Sequence, residues 1–448
     1  MENQPTLKRS LTLFQVVFLG LAWMTPMIFF TSFGISYESS KGMLTVAYLL
    51  AFLAIFFTAS SYGKMAKAFP VSGSALTYIT KVMNPFIGFL VGWVILLDYL
   101  FSCIIANLMF GINLHAQFPS VPSYIWIILL DIVLMVINII GIKTSANISK
   151  LFVCIQIAFI ALFCILVFHN LLQNDTSVHL AGPFAMGDSI TFSTILAGAS
   201  IICFSFLGFD SITAMAEETI NPKKNIPRAI MIIISVAGIL YFSTSYFLQL
   251  AYPELKFSNP DTAGFYVANL VGGKILGSIF TTVLVFAVFT QGLSSVATVT
   301  RLLYVMGRSA QLPKKSFGYL HPKFRTPVFN VVLVSVISLL GLFISLDTCI
   351  KFVNFGALTA FMFVNLSVIL HYFIKEKRRT LKGIIAYLVS PLIGAGFIFY
   401  LLTLLDKDSL LMGLSWLALG LMYSLYLVAR KKKRALVKEQ ENVTVTVE

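Results

Sequence analysis

The stretch Gly20-Leu21-Ala22-Trp23-Met24-Thr25-Pro26-Met27-Ile28-Phe29-Phe30 sets a proline near the middle of the first long apolar run. A second stretch, Phe204-Ser205-Phe206-Leu207-Gly208-Phe209-Asp210, sets a glycine and an acid deep inside another. Pro26 removes a backbone donor and crowds the turn before it. Gly208 permits dihedrals closed to other residues, and Asp210 can cap a new half-helix. In lipid a helix must satisfy its own backbone, so breaks are tolerated only where protein or water supplies partners. Both runs therefore read as helices interrupted at mid-depth. Two simple kinks are the plainer alternative, since Gly and Pro are common in membrane helices.

The composition around these stretches is that of a membrane protein. Of 448 residues 58% are hydrophobic and 11% charged, against about 25% charged in a soluble domain. That charge cannot coat a globule of this size. A soluble enzyme, a disordered chain and a nucleic-acid-binding protein are excluded. A spanning helix needs about 20 apolar residues. Twelve such segments are read, at about 13–35, 43–66, 86–114, 122–143, 148–172, 190–216, 229–252, 274–303, 327–346, 350–373, 383–405 and 409–429. With the N-terminus cytoplasmic, 27 of the 32 Lys and Arg fall on the inner side and 5 on the outer, as the positive-inside rule requires. Both termini are expected in the cytoplasm, and Arg430-Lys431-Lys432-Lys433-Arg434 reads as a topology anchor near anionic lipid. The net charge of +14 is then a matter of topology. Met1 to Ser10 is a short polar tail, and the run after it is too long for a signal peptide and has no cleavage site. The five cysteines have no C-x-x-C spacing and read as apolar packing. No metal site and no cofactor are expected.

Spans 1 and 6 are the matching positions of two five-helix units, and interrupted helices there point to a transporter built from inverted repeats. The stretch 204–210, followed by Glu217-Glu218-Thr219-Ile220-Asn221-Pro222-Lys223-Lys224-Asn225-Ile226-Pro227-Arg228-Ala229, resembles the signature of the amino acid–polyamine–organocation permeases. Phe69-Pro70-Val71-Ser72-Gly73-Ser74-Ala75-Leu76-Thr77-Tyr78 agrees, as does Arg301-Leu302-Leu303-Tyr304-Val305-Met306-Gly307-Arg308 with the segment from Leu312-Pro313 to Thr326-Pro327. Gly20-Leu21-Ala22 with Thr25-Pro26-Met27, Leu96-Leu97-Asp98-Tyr99-Leu100-Phe101 and Val353-Asn354-Phe355-Gly356-Ala357-Leu358 are similar to bacterial putrescine importers in particular. The resemblance covers nearly the whole chain. It implies an all-α integral membrane protein of 12 transmembrane helices with a LeuT-type 5+5 inverted repeat and two additional C-terminal helices. The expected divisions are a cytoplasmic tail 1–12, a transporter core 13–373 with repeats at about 13–172 and 190–373, helices 11 and 12 at 383–429, and a basic tail 430–448. It also implies secondary transport coupled to an ion.

Three acids, Asp98, Asp131 and Asp210, lie well inside spans, with no Lys, Arg or His read at comparable depth. Intramembrane acids are costly and mark function. Three anions without a cation call for a cationic substrate, for protonation, or for a bound ion. Asp210 follows the break in span 6, where the half-helix dipole favours its ionised form. An acidic residue at this point is implicated in substrate recognition in the family's polyamine transporters. Asp98 and Asp210 would suit the two ammonium groups of a diamine, with Trp93, Tyr99, Phe206 and Phe209 as aromatic walls. Lipid-facing or core packing is the alternative for each aromatic. Thr25, Pro26, Met27, Ser205 and Gly208 complete the expected site at the breaks. Asp98, Asp131 and Asp210 are the candidates for proton coupling, with helix packing equally open for Asp131.

Amino-acid transporters of this family carry a glycine-rich nest in span 1 whose amides hold the substrate carboxylate. Here Met24-Thr25-Pro26-Met27-Ile28 has no glycine, and Pro26 has no N–H. This departure favours a substrate with amines only. Ser294, Ser295 and Thr298 could donate to a sodium site, but packing between helices is preferred. Span 5 has no deep lysine. Glu217, Glu218 and Arg228 either latch the inner gate or form a solvated loop. The expected function is import of putrescine or a related polyamine by proton symport with alternating access. An amino-acid/proton symporter of the same superfamily, for a cationic or neutral substrate, is the alternative. No catalytic constellation such as H-E-x-x-H marks a membrane enzyme, and no long soluble domain marks a nutrient sensor. The expected partners are a small cationic substrate and the lipid bilayer of a bacterial cell membrane, with no nucleic acid and no obligatory protein partner.

Overall fold

Apolar runs of this length leave the backbone one way to satisfy itself in lipid, the α-helix. The computed structural model is all-α. It describes residues 7–173, 179–185, 190–257 and 259–445, with the side chains of 261 and 430–445 excepted. In chain order the helices are α1 (Leu13–Met24), α2 (Ile28–Ser39), α3 (Leu44–Ala68), α4 (Ser74–Val82), α5 (Pro85–Gln117), α6 (Ser123–Ile140), α7 (Ile142–Gln173), α8 (Phe192–Cys203), α9 (Pro222–Ala251), α10 (Ala263–Arg308), α11 (Lys314–Phe317), α12 (Val328–Leu342), α13 (Leu346–Lys375), α14 (Leu381–Thr403) and α15 (Lys407–Val445). The basic run 430–434 lies outside the described side chains.

Each of the twelve apolar segments finds its helix, but not twelve equal spans. Among the described residues ten helices are long and apolar enough to cross a bilayer, and α1 with α2 makes an eleventh, bent by 42° at residues 25–27. The segment expected at 327–346 forms only α12, a shorter apolar helix, because its last turn tightens into a 3₁₀ turn at Leu339–Leu342. Conversely, α10 is two helices end to end, and the expected limit of 274 falls where the second begins. It is bent at Gly272 and Gly273, where Gly273 takes φ 65°.

Local sequence sets the ends. Thr12 and Gln15 form a reciprocal capping box at the start of α1. Asn84 caps α5 by accepting from the Ile87 amide, with Pro85 in the first turn. The most apolar 18 residues of α5 are 78% buried, against 17% for α15. The third span is thus the central post, and the last helix stands at the perimeter. The post is gripped closely: a Cβ on Gly356 of α13 would lie 2.7 Å from the Asp98 amide, so only glycine admits α13 against the turn that carries Asp98.

The two interruptions are satisfied as the bilayer demands. Thr25 donates its amide to the Leu21 carbonyl, and Ile28 donates to the Thr25 carbonyl, both at 2.9 Å. Thr25 is β-branched yet sits at φ 47°, a conformation that costs about 1–3 kcal/mol. After α8 the chain makes a 3₁₀ turn at Phe204–Phe206, opens through Leu207–Asp210, and continues as a 3₁₀ stretch at Ser211–Glu218. Gly208 takes φ +107°, with its missing Cβ site 1.9 Å from Trp23 Cδ1.

Gly208→Ala is therefore expected to destabilise the protein by overpacking, about 1–3 kcal/mol, on top of the strained dihedral. A lower melting temperature in detergent checks this. A melting curve equal to wild type would mean that the break does not need glycine.

Candidate substrate site and its closed end

The breaks in spans 1 and 6 lie side by side. Tyr241, from α9, points its hydroxyl at the carbonyls of Thr25 and Ser205, 3.4 Å from each. Ser32 and Ser205 hydroxyls meet at 3.2 Å across the same seam. Phe206 packs edge-on to Tyr241 at 5.2 Å. Thr25, Met27, Ser205 and Phe206 therefore line one junction, all of them buried.

Asp210 lies on the far side of the break, fully buried. Its Oδ2 accepts a 2.7 Å hydrogen bond from Tyr99 on α5, and the Tyr99 oxygen lies 3.1 Å from Ser74 Oγ on α4. Asp210 is the residue before the 3₁₀ stretch, but its side chain caps nothing there. The expected capping role is corrected: the carboxylate turns to Tyr99, and the stretch closes through Ser211 to Gly208 and Thr213 to Asp210 backbone bonds. Asp210 Oδ1 has no hydrogen-bond partner. Asp98, one residue before Tyr99, is also buried. Its Oδ1 accepts from Ser102 at 3.3 Å, and its Oδ2 has no partner. The two carboxylates are close enough to act on each other electrostatically. Among the described residues neither forms an ion pair with Lys, Arg or His. A buried carboxylate oxygen left unpaired costs free energy, and a cation carrying N–H donors is the chemistry that relieves it.

Aromatic rings pack around the two acids. Trp23 meets Tyr99 edge-on at 5.3 Å. Phe209 packs against Tyr62 at 5.5 Å and Phe361 at 5.2 Å. The Tyr62 and Tyr78 hydroxyls, both buried, have no partner. Sequence reasoning missed Tyr62, Tyr78, Tyr241 and Phe361. They come from α3, α4, α9 and α13, where no break or charge marks them.

Trp93 is not a wall of this site. It stacks on Trp416 of α15 at 4.8 Å, and each indole donates to the other residue's carbonyl, at 3.0 and 2.8 Å. Helical phase explains the correction: five residues at about 100° each put Trp93 roughly 140° around α5 from Asp98. Asp131 also stands apart. Its Oδ1 accepts from Asn107 of α5 and Ser338 of α12, which ties three helices together. Ser294 donates to the Leu19 carbonyl at 2.8 Å, while Ser295 and Thr298 bond within α10.

The three motif stretches 69–78, 217–229 and 301–308 meet at one end of the bundle, called here the basic end. Arg301 is completely buried and holds Glu218 through two hydrogen bonds of 2.7 and 3.2 Å. Arg308 holds Glu217 in the same forked manner, at 2.7 and 2.6 Å. Ser10 and Leu11 donate their amides to the Glu218 carbonyl at 2.8 and 2.9 Å, so the N-terminal segment lies across the buried pair. One expectation changes. Arg228 is exposed and belongs to neither pair, and the buried cation at this end is Arg301. Arg301 counts with the inner basic residues because it stands at the end of span 8, and α10 runs on to Arg308. It lies seven residues, about two helical turns, from both Ser294 and Arg308, and it is buried.

A multi-span bundle with a closed polar centre between two broken helices is the architecture of a membrane permease. The profile of the amino acid permease family matches residues 15–434, and the chain belongs to that family. It is 41% identical over 424 residues to the low-affinity putrescine importer PlaP of Escherichia coli (strain K12), covering 93% of each chain. It is 27% identical over 454 residues to the branched-chain amino acid permease BcaP of Bacillus subtilis (strain 168), covering 95% of this chain and 94% of the relative. The methylthioribose transporter of the same organism is 27% identical over 445 residues, 94% of each chain. The protein is thus a multi-pass cell-membrane transporter and not an enzyme.

Trp93→Phe removes one indole donor and half of the stacked pair. It is expected to lower the melting temperature in detergent while leaving the KM for transported substrate unchanged. A raised KM with unchanged melting would return Trp93 to the site.

Proposed function

We propose that this protein imports putrescine or a closely related polyamine, by proton symport, through alternating access to the pocket between spans 1 and 6. One observation carries the proposal: Asp98 and Asp210 each keep one buried, unpartnered carboxylate oxygen, and among the described residues no cation of the protein answers either. A diamine supplies two ammonium groups, which the two acids would take separately. Its methylene chain would lie against Tyr99, Trp23 and Phe209. The 41% identity to a putrescine importer supports the same substrate.

Amino-acid transport is the second reading, favoured by relatives such as the branched-chain permease. The break in span 1 speaks against it. The Ile28 amide is used by the Thr25 carbonyl and the Phe30 amide by the Met27 carbonyl, and Pro26 has no N–H. That leaves the amides of Met27 and Phe29 at the break, with no glycine to let a substrate carboxylate approach closely.

In this mechanism the substrate reaches ionised Asp98 and Asp210 from the outer side. A proton from the outer side would enter with it, held on one of the buried acids, and both would leave to the cytoplasm, so that the emptied carrier returns without either. Asp131, which pairs with Asn107 and Ser338 rather than with substrate, is the third place where a proton could be held. The pairs Glu218–Arg301 and Glu217–Arg308 would shut the cytoplasmic end and part during release. The termini would lie on that side, as the distribution of basic residues requires.

Proteoliposome uptake of labelled putrescine, with and without an inward proton gradient, tests the reading. Uptake should be stimulated by the gradient and competed by polyamines more strongly than by lysine, ornithine or leucine. Asp210→Asn should raise KM at least tenfold, because a charge-assisted hydrogen bond contributes about 1.5–3 kcal/mol. Tyr99→Phe should also weaken uptake, since Asp210 loses its one side-chain donor among the described residues. Dominant competition by an α-amino acid would overturn the polyamine assignment. Gradient-independent uptake would overturn proton coupling.

A further inference from the structure

We propose that the cavity at the basic end, between the α4–α5 elbow and α15, holds the headgroup phosphate of an anionic phospholipid. The cavity has a volume of about 750 Å³ and is lined by both Lys81 and Arg308. Lys81 is exposed, and no ion pair with it is found among the described residues. Arg308 keeps 44% of its side chain exposed while its fork holds Glu217. The first turn of α5, a 33-residue helix, forms part of the wall and directs its positive dipole end there. Thr80, another lining residue, has a hydroxyl with no hydrogen-bond partner.

The remaining walls are mixed, with Ser72, Thr77, Ser309, Gln311 and Ser424 as polar groups beside an apolar strip that fits acyl chains. Phe89 and Leu76 are buried, while Phe86 and Val428 are exposed by 38% and 56%. Val428 belongs to α15, the perimeter helix, so the cavity runs out onto the lipid-facing surface. Lys81 and Arg308 sit at the last turns of α4 and α10. Helix ends rich in Lys and Arg mark the headgroup layer. Cations at the headgroup level above apolar walls between spanning helices match a phospholipid anion. A free phosphate would use the cations but leave the apolar walls unfilled. Occupancy would also set a second anion beside Arg308, in competition with Glu217, and so bear on the ion pair at this end. None of this depends on which substrate the protein carries.

Native mass spectrometry of the full chain in detergent tests the site, with added phosphatidylglycerol compared against phosphatidylcholine of the same acyl chains. Phosphatidylglycerol should be retained preferentially, excess inorganic phosphate should fail to displace it, and Lys274→Gln should leave it unchanged. Lys81→Gln should reduce its occupancy about fivefold, since one basic residue near the headgroups contributes about 1 kcal/mol. Lys81→Arg should restore it, and Phe86→Ser should reduce it through the apolar wall. Equal retention of the two lipids, or unchanged occupancy in Lys81→Gln, would overturn the proposal. Displacement by inorganic phosphate would overturn it too, by making the cavity a free-anion site.

Discussion

The Tyr241 hydroxyl, aimed at the carbonyls of Thr25 and Ser205, is the contact that lets two broken helices stand side by side in lipid. An interrupted helix exposes backbone groups that hydrocarbon cannot solvate. Here the chain answers each interruption locally, with 3₁₀ turns and amide bonds, and then adds one donor shared between the two. Thr25 accepts an unfavourable dihedral for the sake of this arrangement, and Gly208 makes room for Trp23. Once the breaks are joined, the residues around them have fixed places. Ser205 meets Ser32, Phe206 meets Tyr241, and Asp210 is brought under Tyr99.

The centre of the molecule is consequently polar and buried. The acids divide into two kinds by their partners. Asp131 has its Oδ1 taken by Asn107 and Ser338, and its place is between three helices. Asp98 and Asp210 each retain an unpartnered oxygen, and they flank one tyrosine. Partially satisfied polar groups inside a protein are expensive, and they persist where something outside the chain completes them. The basic end shows the opposite solution. Arg301 and Glu218 complete each other out of water, an arrangement from which removing either partner would cost about 3–5 kcal/mol. The N-terminal segment then covers the pair. Two incompletely paired acids at the centre and an end that is already neutralised together make a bundle closed on the basic side.

Much of this was legible in the sequence. The proline in span 1 and the glycine–acid pair in span 6 located the interruptions, because bilayer physics permits few other uses for them. Asp98 and Asp210 stood out because charge is scarce there. Misreadings came from placement around and along a helix. Trp93 follows the same helix as Asp98 but faces α15, which its phase on α5 signals. Arg301 was assigned to a loop because an apolar count ends where charge begins, whereas α10 continues to Arg308 with its pairing face inward. Arg228 reads as a gate candidate because it is near Glu217 and Glu218 in sequence, but α9 carries it to the surface.

By itself the sequence determined that the chain lies in a membrane, where two of its helices break, and that Asp98, Asp131 and Asp210 are buried. Those facts follow from the cost of moving charge and bare backbone out of water, which is local and additive enough to read along a chain. Only the tertiary structure decided which groups answer which. The tyrosine that bonds Asp210, the hydroxyl that spans the two breaks and the arginine that neutralises Glu218 come from helices distant in sequence. Their pairing depends on helix phase and on close approaches such as Gly356 against α5, quantities that no single segment carries.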